Sequence, residues 1–352
     1  MAAPLIRRSS RLFGALVLVL AGCTPTATST TSPSNAGQPT SAPTAVPPSA
    51  TAAPAFPITL TDAEGTEVAI PAEPQRIVSL TPGTTETLFA LGVGDRVVAK
   101  VEDIANFPPE AADLPIVATF EGVDVEKIVD LEADLVVSGG AGLTQGPAVE
   151  QLRRANIPVV VSYPTTIDSG VESIELLGRA VGAAAEGEAL AASISGDLDV
   201  LAAIASTAAT KPRVFYEISV FNGIFTPPAD SIYGEMFLLA GSEPISGDAN
   251  YAISLEELVD ADPEVILLGD AAYGESAETV GGRPGWDGMT AVKDGRIVPI
   301  DDIVVTRPGP RLADGLRALI VAIHPELEGQ LPAPGASGAP AATGLAWLRA
   351  AA

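Results

Sequence analysis

The feature that most constrains this chain is a phrase it uses twice: VDVEKIVDLEADLVV over Val123–Val137 and, 130 residues later, ISLEELVDADPEVIL over Ile253–Leu267. Each copy reads as a capped helix, a short turn and a β-strand. Asp124 and Ser254 are side chains that cap a helix N-terminus, and Glu126 and Glu256 fall in the first turn. The apolar runs Leu135–Ser138 and Val265–Leu268 suit strands buried on both faces. A helix–strand unit repeated at that distance, in a chain of 352 residues, predicts two equivalent α/β lobes. On residue chemistry alone, Glu126 and Glu256 need do no more than complement a helix dipole, for a few tenths of a kcal/mol.

The rest of the body fits that expectation. After a hairpin-like ITLTDAEGTEVAI come strand candidates at Arg76–Leu80, Arg96–Val101, Pro115–Ala118, Asp134–Gly139 and Pro158–Tyr163. A second series lies at Arg213–Ser219, Glu264–Gly269 and Arg296–Asp301. Between the two series, Leu190, Ile194, Leu198 and Leu201 recur at helical spacing in an alanine-rich stretch. A helix of about 23 residues rising ~1.5 Å per residue would be roughly 35 Å long, enough to run from one lobe to the other. The expected organisation is an N-terminal lobe over 58–183, an interlobe helix over 184–207 and a C-terminal lobe over 208–330.

Outside the body the sequence changes character. Arg7, Arg8 and Arg11 precede the apolar run Leu12–Leu20 and the small residues of LAGC, the pattern of a signal peptide over 1–22. The LAGC segment resembles a bacterial lipobox, which makes Cys23, the chain's single cysteine, the expected lipid anchor. The pair Arg7–Arg8 is also compatible with twin-arginine export. Thr24–Pro57 carries no charged side chain and is rich in Thr, Ser, Pro and Ala, so residues 23–57 read as a disordered tether. Extended, it would reach on the order of 100 Å at about 3 Å per residue. Residues 331–352 read as a disordered tail. Loss of the signal peptide removes three positive charges and deepens the net charge from −25 to −28, which disfavours nucleic acid and anionic lipid as partners.

Four segments carry a family resemblance: RIVSLTPGTTETLFALGVGDRVVA, NFPPEAADLPIVATFEGVDVEKIVDLEADLVV, RPGWDGMTAVKDGRIVPID and RPGPRLADGLRALIVAIHPEL. Together they resemble the substrate-binding proteins of ABC importers for cobalamin and ferric siderophores, over nearly all of Pro74–Leu327. The resemblance implies two Rossmann-like α/β lobes joined by one long interlobe helix, with ligand in the cleft between them. It implies no enzymatic activity and no cofactor. The partners implied are a metal chelate and a permease dimer with its cytoplasmic ATPase, and the protein would be a monomer tethered outside the cell membrane. In such proteins one glutamate per lobe docks on permease arginines, and the matching positions here are Glu126 and Glu256. The repeated phrase would then mark two feet of one receptor.

Open α/β sheets bind ligands beyond the carboxyl ends of their strands. In the first lobe this selects Pro82, Gly83 and Thr84, where free amides at a helix start suit polar ligand groups. Phe120 stands where cobalamin binders carry an aromatic, often tryptophan; phenylalanine keeps the apolar platform and lacks the indole donor. In the second lobe Tyr216, Phe221, Phe225 and Tyr273 supply aromatics near strand ends, with core packing as the other role open to them. Arg283, Arg307 and Arg311 are the candidates to grip an anionic chelate. Trp286 is expected to pack within its lobe. The single histidine, His324, has no ligand-spaced companions, so no metal site is expected; a receptor for a chelate needs none. Haem is the alternative ligand, with Tyr216 or Tyr273 able to ligate iron. A surface sensor without a permease is an alternative of another class. An enzyme on the same scaffold would need motifs the chain lacks: a G-x-S-x-G elbow, a Walker loop or a dinucleotide fingerprint.

Overall fold

The computed structural model describes residues 56–333. The expected signal peptide, Cys23, nearly all of the tether and most of the tail lie outside the described residues. Two sheets organise the body. The first has six strands in the order Gly122–Val123, Ile116–Thr119, Val97–Val101, Ile77–Ser79, Leu135–Ser138, Val159–Val161. All neighbours are parallel except the antiparallel edge strand Gly122–Val123. The second has four parallel strands in the order Glu243–Ile245, Arg213–Glu217, Val265–Leu268, Ile297–Pro299. A separate hairpin pairs Ile58–Thr61 with Glu67–Ile70. Its turn is held by buried Asp62, which accepts hydrogen bonds from the amides of Glu64, Thr66 and Val161 and pairs with Arg153 at 2.9 Å.

The repeat is structural. In each copy a two-residue antiparallel strand leads into a short helix, Val125–Asp130 or Leu255–Ala261, and then into a central sheet strand. Asp124 and Ser254 cap these helices through their side chains, onto the amides of Lys127 and Glu257. A further equivalence was not visible in the sequence. Arg76 and Arg213, at the head of the neighbouring strand, each direct Nε at carbonyls ending the repeat helix, Leu131 and Ala261. Their backbone amides donate to Asp134 and Glu264, at the turn before the central strand.

Side-chain alternation puts each sheet between two cores. Val78, Val136, Val159 and Val161 belong to a core private to the first lobe, and Phe215, Ile266 and Leu268 to one private to the second. The opposite faces, Ile77, Leu135 and Val137 in one sheet and Val214, Tyr216 and Leu267 in the other, join one continuous core. Between the sheets the chain runs through two successive helices, Ile167–Ala180 and Ala184–Ala205, the second lying within the 184–207 stretch expected as the interlobe helix. They approach so closely that a Cβ on Gly178 would lie 2.8 Å from the Ala183 carbonyl oxygen and 2.9 Å from Gly187 Cα. Leu190, Ile194, Leu198 and Leu201 all face the shared core, as their spacing predicts. The C-terminal helix Leu312–Ile323 adds Leu316, Leu319 and Ile320 to the same core.

Candidate functional site

The turns that follow the strands converge on a cavity of about 700 Å³. From the first lobe come Thr81–Thr84 after Ile77–Ser79, Glu102–Ile104 after Val97–Val101, Leu143 beyond Leu135–Ser138, and Ser162–Thr165 after Val159–Val161. The second lobe supplies Pro228, Asp230–Tyr233, Tyr251, Tyr273, Asp302, Ile303 and Thr306–Pro308. Carboxyl-terminal strand ends thus build both walls, as the topology requires.

Of the residues expected at a ligand, Pro82, Gly83, Thr84, Tyr273 and Arg307 line this cavity. Gly83 also has a packing reason to be glycine: a Cβ there would sit 2.4 Å from the carbonyl oxygen of Pro308 in the other lobe. Thr84 is tied into a buried hydroxyl set with Ser79 and Thr81. Phe120, 95% exposed, instead lines an adjoining hollow of about 720 Å³ with Glu126, and the two spaces share Pro82, Glu102 and Leu143 as walls. Phe221 is exposed but lies outside both lining sets, and Phe225 is half-buried in a two-residue strand.

Tyr216 corrects the expectation. It is 1% exposed, packs its ring against Phe237 at 5.4 Å, and donates its hydroxyl to Asp302. Burial, and then the charge of Asp302, hold that hydroxyl well above the usual phenol range. Trp286 packs within its lobe, edge-on to Phe215. His324 is buried against the Gly241 carbonyl oxygen. Among the described residues no group of His, Cys, Asp and Glu has the arrangement of a metal site.

The arginines need the largest correction, because each is already held by carboxylates of the protein. Arg283 lies outside the cavity: it grips buried Glu217 with both terminal nitrogens, at 2.5 and 2.8 Å, reaches Glu275 at 2.6 Å, and stacks on Trp286. Arg307 joins the lobes, bonding Glu86 at 2.6 Å and Asp103 at 2.8 and 3.1 Å. Arg311 takes Glu86 at 2.6 and 2.7 Å and lies over the Phe107 ring. Burial disfavours the charge on Arg307, but Asp103 and Glu86 outweigh it and raise its pKa. Two arginines of the second lobe and two carboxylates of the first form a closed, charge-balanced latch at the cavity edge.

Asp270, which opens the turn carrying Tyr273, is pushed up to about 7 by burial and then by the charge of Glu217. Its Oδ1 is buried and has no hydrogen-bond partner. Asp302, at the cavity wall, is raised chiefly by burial. The sequence reading missed Tyr163, Tyr233, Tyr251, Glu102, Asp230 and the latch carboxylates. The segment SYPTT at Ser162–Thr166 could have been found, because it directly follows an expected strand. Glu126 and Glu256 occupy the same place in the two copies, the second residue of a capped helix. Both are exposed, and their carboxylates have no hydrogen bond or ion pair among the described residues.

Comparison with known proteins gives the same architecture. The chain is 33% identical over 277 residues to the ABC transporter substrate-binding lipoprotein YvrC of Bacillus subtilis, covering 77% of this chain and 87% of that protein. It is 28% identical over 281 residues to a cobalamin-binding protein of Halobacterium salinarum, covering 76% and 74% of the two chains. Among solved structures, the periplasmic haem-binding protein RhuT of Roseiflexus sp. RS-1 matches with a TM-score of 0.64 at 26% identity, over 72% of this chain and 99% of that one. The periplasmic vitamin B12 binding protein of Vibrio cholerae has the same fold, with a TM-score of 0.62 at 24% identity over 73% and 98%. The family model for periplasmic binding proteins matches residues 77–304, from the first strand of the six-stranded sheet to the helix that carries Asp302. Two parallel sheets facing one cavity, and that match across most of the body, place the chain in the periplasmic binding protein family.

Proposed function

We propose that this protein captures a metal chelate outside the cell membrane and delivers it to the permease of an ABC importer, without catalysis of its own. The observation that carries the reading is the cavity walled by strand-end turns of both lobes. Its volume falls within the range of about 300–1,000 Å³ common for small-molecule sites. Relatives named for cobalamin make a corrinoid the first ligand to test. Pro82, Thr84, Tyr273 and the aromatic face of Phe120 at the adjoining hollow are the contacts in this reading. Residues 58–183 and 208–330 act as the two lobes, the 184–207 helix with its partner helix forms the spine, and Cys23 carries the lipid. The chain works as a monomer.

Titration calorimetry of the full chain with cyanocobalamin is the direct test. Binding at micromolar affinity or tighter is expected; no heat and no shift in melting temperature would reject the corrinoid and leave iron chelates. Delivery is tested separately through Glu126 and Glu256, which extend into solvent at matching sites and are the docking candidates. Reversing both to lysine should abolish uptake by cells while chelate affinity is unchanged. Uptake at the original rate would remove the docking role and favour a surface sensor.

A further inference from the structure

The charge lining the cavity is one-sided. Glu102, Asp103, Asp230 and Asp302 contribute carboxyl groups, and Arg307 is the one lining cation among the described residues. Arg307 is not available to a ligand as a free charge. With Arg311 it is bonded to Glu86 and Asp103, so that the latch balances two positive charges with two negative ones. Arg283, which lies elsewhere, is bound to Glu217 and Glu275.

What faces the cavity uncompensated is therefore acidic. Glu102 comes from the first lobe and Asp230 from the second; both are exposed, and neither carboxylate has a hydrogen bond or ion pair among the described residues. Beside them stand Tyr163, Tyr251 and Tyr273, whose hydroxyls make no hydrogen bond among the described residues. Tyrosine ring faces attract cations, and free hydroxyls serve amide and hydroxamate groups as donor or acceptor. A ligand with carboxylates or phenolates would enter against two free carboxylates and find, among the described lining residues, no free guanidinium or ammonium to meet it.

We infer that this cleft selects its chelate by charge: it takes neutral or cationic complexes bearing amide, hydroxamate or hydroxyl groups, and rejects anionic ones such as tris-catecholate iron complexes and haem with its two propionates. This rests on the reading of the cavity as the chelate site. Each unit of ligand charge should change affinity on the order of tenfold at low ionic strength, with the difference shrinking as salt screens exposed carboxylates.

The test uses two series in which charge varies at nearly constant shape. One is ferrioxamine B, which is cationic, with its neutral N-acetyl and anionic N-succinyl derivatives. The other is cyanocobalamin with its monocarboxylic acid derivative. Calorimetry on the full chain at low and high salt is expected to rank cation and neutral above anion in whichever series binds. In the double variant Glu102→Gln, Asp230→Asn, its fold checked by its melting curve, the gap should narrow. Equal affinity across the charges, tighter binding of the anion, or an unchanged gap in the variant would overturn charge selection while leaving the receptor reading intact. Binding of neither series, nor of haem, would overturn the receptor reading itself and this inference with it.

Discussion

The two lobes repeat one construction and differ in what holds it together at the cavity. In the first lobe the end of the central strand is tied by a neutral amide. Gln145 accepts from the Ser138 hydroxyl and the Gly139 amide and donates to the Leu80 carbonyl oxygen. The matching place in the second lobe is charged: Glu275 shares Arg283 with buried Glu217, and Asp270 lies beside them. The loop tips differ in the same sense, with Leu143 on one side of the cavity and Tyr273, 130 residues later, on the other. Repetition has preserved the backbone plan and the outward glutamates, whereas the inward residues have diverged. One lobe anchors the end of its central strand with a neutral amide, and the other with a charged cluster in which Asp270 responds to protons.

The sharpest way to break this contrast is to remove one anchor from each lobe. Arg283→Ala leaves Glu217 buried without its partner and should cost about 3–5 kcal/mol of stability. Gln145→Ala removes neutral hydrogen bonds and should cost about 1–3 kcal/mol. Urea unfolding of the two variants measures both, and equal losses would erase the distinction between a charged and a neutral anchor.

A smaller effect isolates the proton response. The folded pKa of Asp270 lies at about 7 against an ordinary value of 3.8, so between those pH values the folded chain keeps a proton that the unfolded chain has released. Its contribution therefore weakens as pH rises through that window and levels off above it. Asp270→Asn should flatten this part of the stability profile, by on the order of 1 kcal/mol at pH 8. Thermal melts from pH 5 to 8 read the slope, and an unaltered slope would show that Asp270 is not its source.

The smallest effect tests where the lobes are alike. Glu126→Gln and Glu256→Gln each remove an exposed carboxylate from the first turn of a matching helix, so each should cost only a few tenths of a kcal/mol, and equally. A loss above about 1 kcal/mol in either, measured by thermal unfolding, would show a structural role that the exposed positions do not display.

These contrasts also explain what the sequence could reveal. Strands such as Val97–Val101 and Val265–Leu268 were legible because apolar β-branched runs between turn signals have few other uses. The edge strand Glu243–Ile245 was not, since three residues with a central proline look like a loop until a neighbour pairs with them. The caps Asp124 and Ser254 are local chemistry and were readable. The arginines were misread because their partners are distant: Arg307 meets Glu86 across 221 positions and Arg311 meets it across 225. In a chain so acidic, an arginine near a predicted cleft suggests an anionic ligand; only three dimensions reveal that the anion is the protein's own. Tyr216 was misplaced for a similar reason, since helices cover both faces of its sheet and a strand-end aromatic there is enclosed.

The continuous core has a consequence for how the molecule comes apart. Ile77 of one sheet and Val214 of the other are members of the same packed cluster, bridged by Ile174, Ile194 and Leu316. Neither lobe can melt and leave its sister intact, because the survivor would expose the face it had shared. Unfolding should therefore be one cooperative event, with coincident transitions from probes in either half. On the proposed placement outside the cell membrane, that removes the half-open species in which a lone lobe would be offered to proteases.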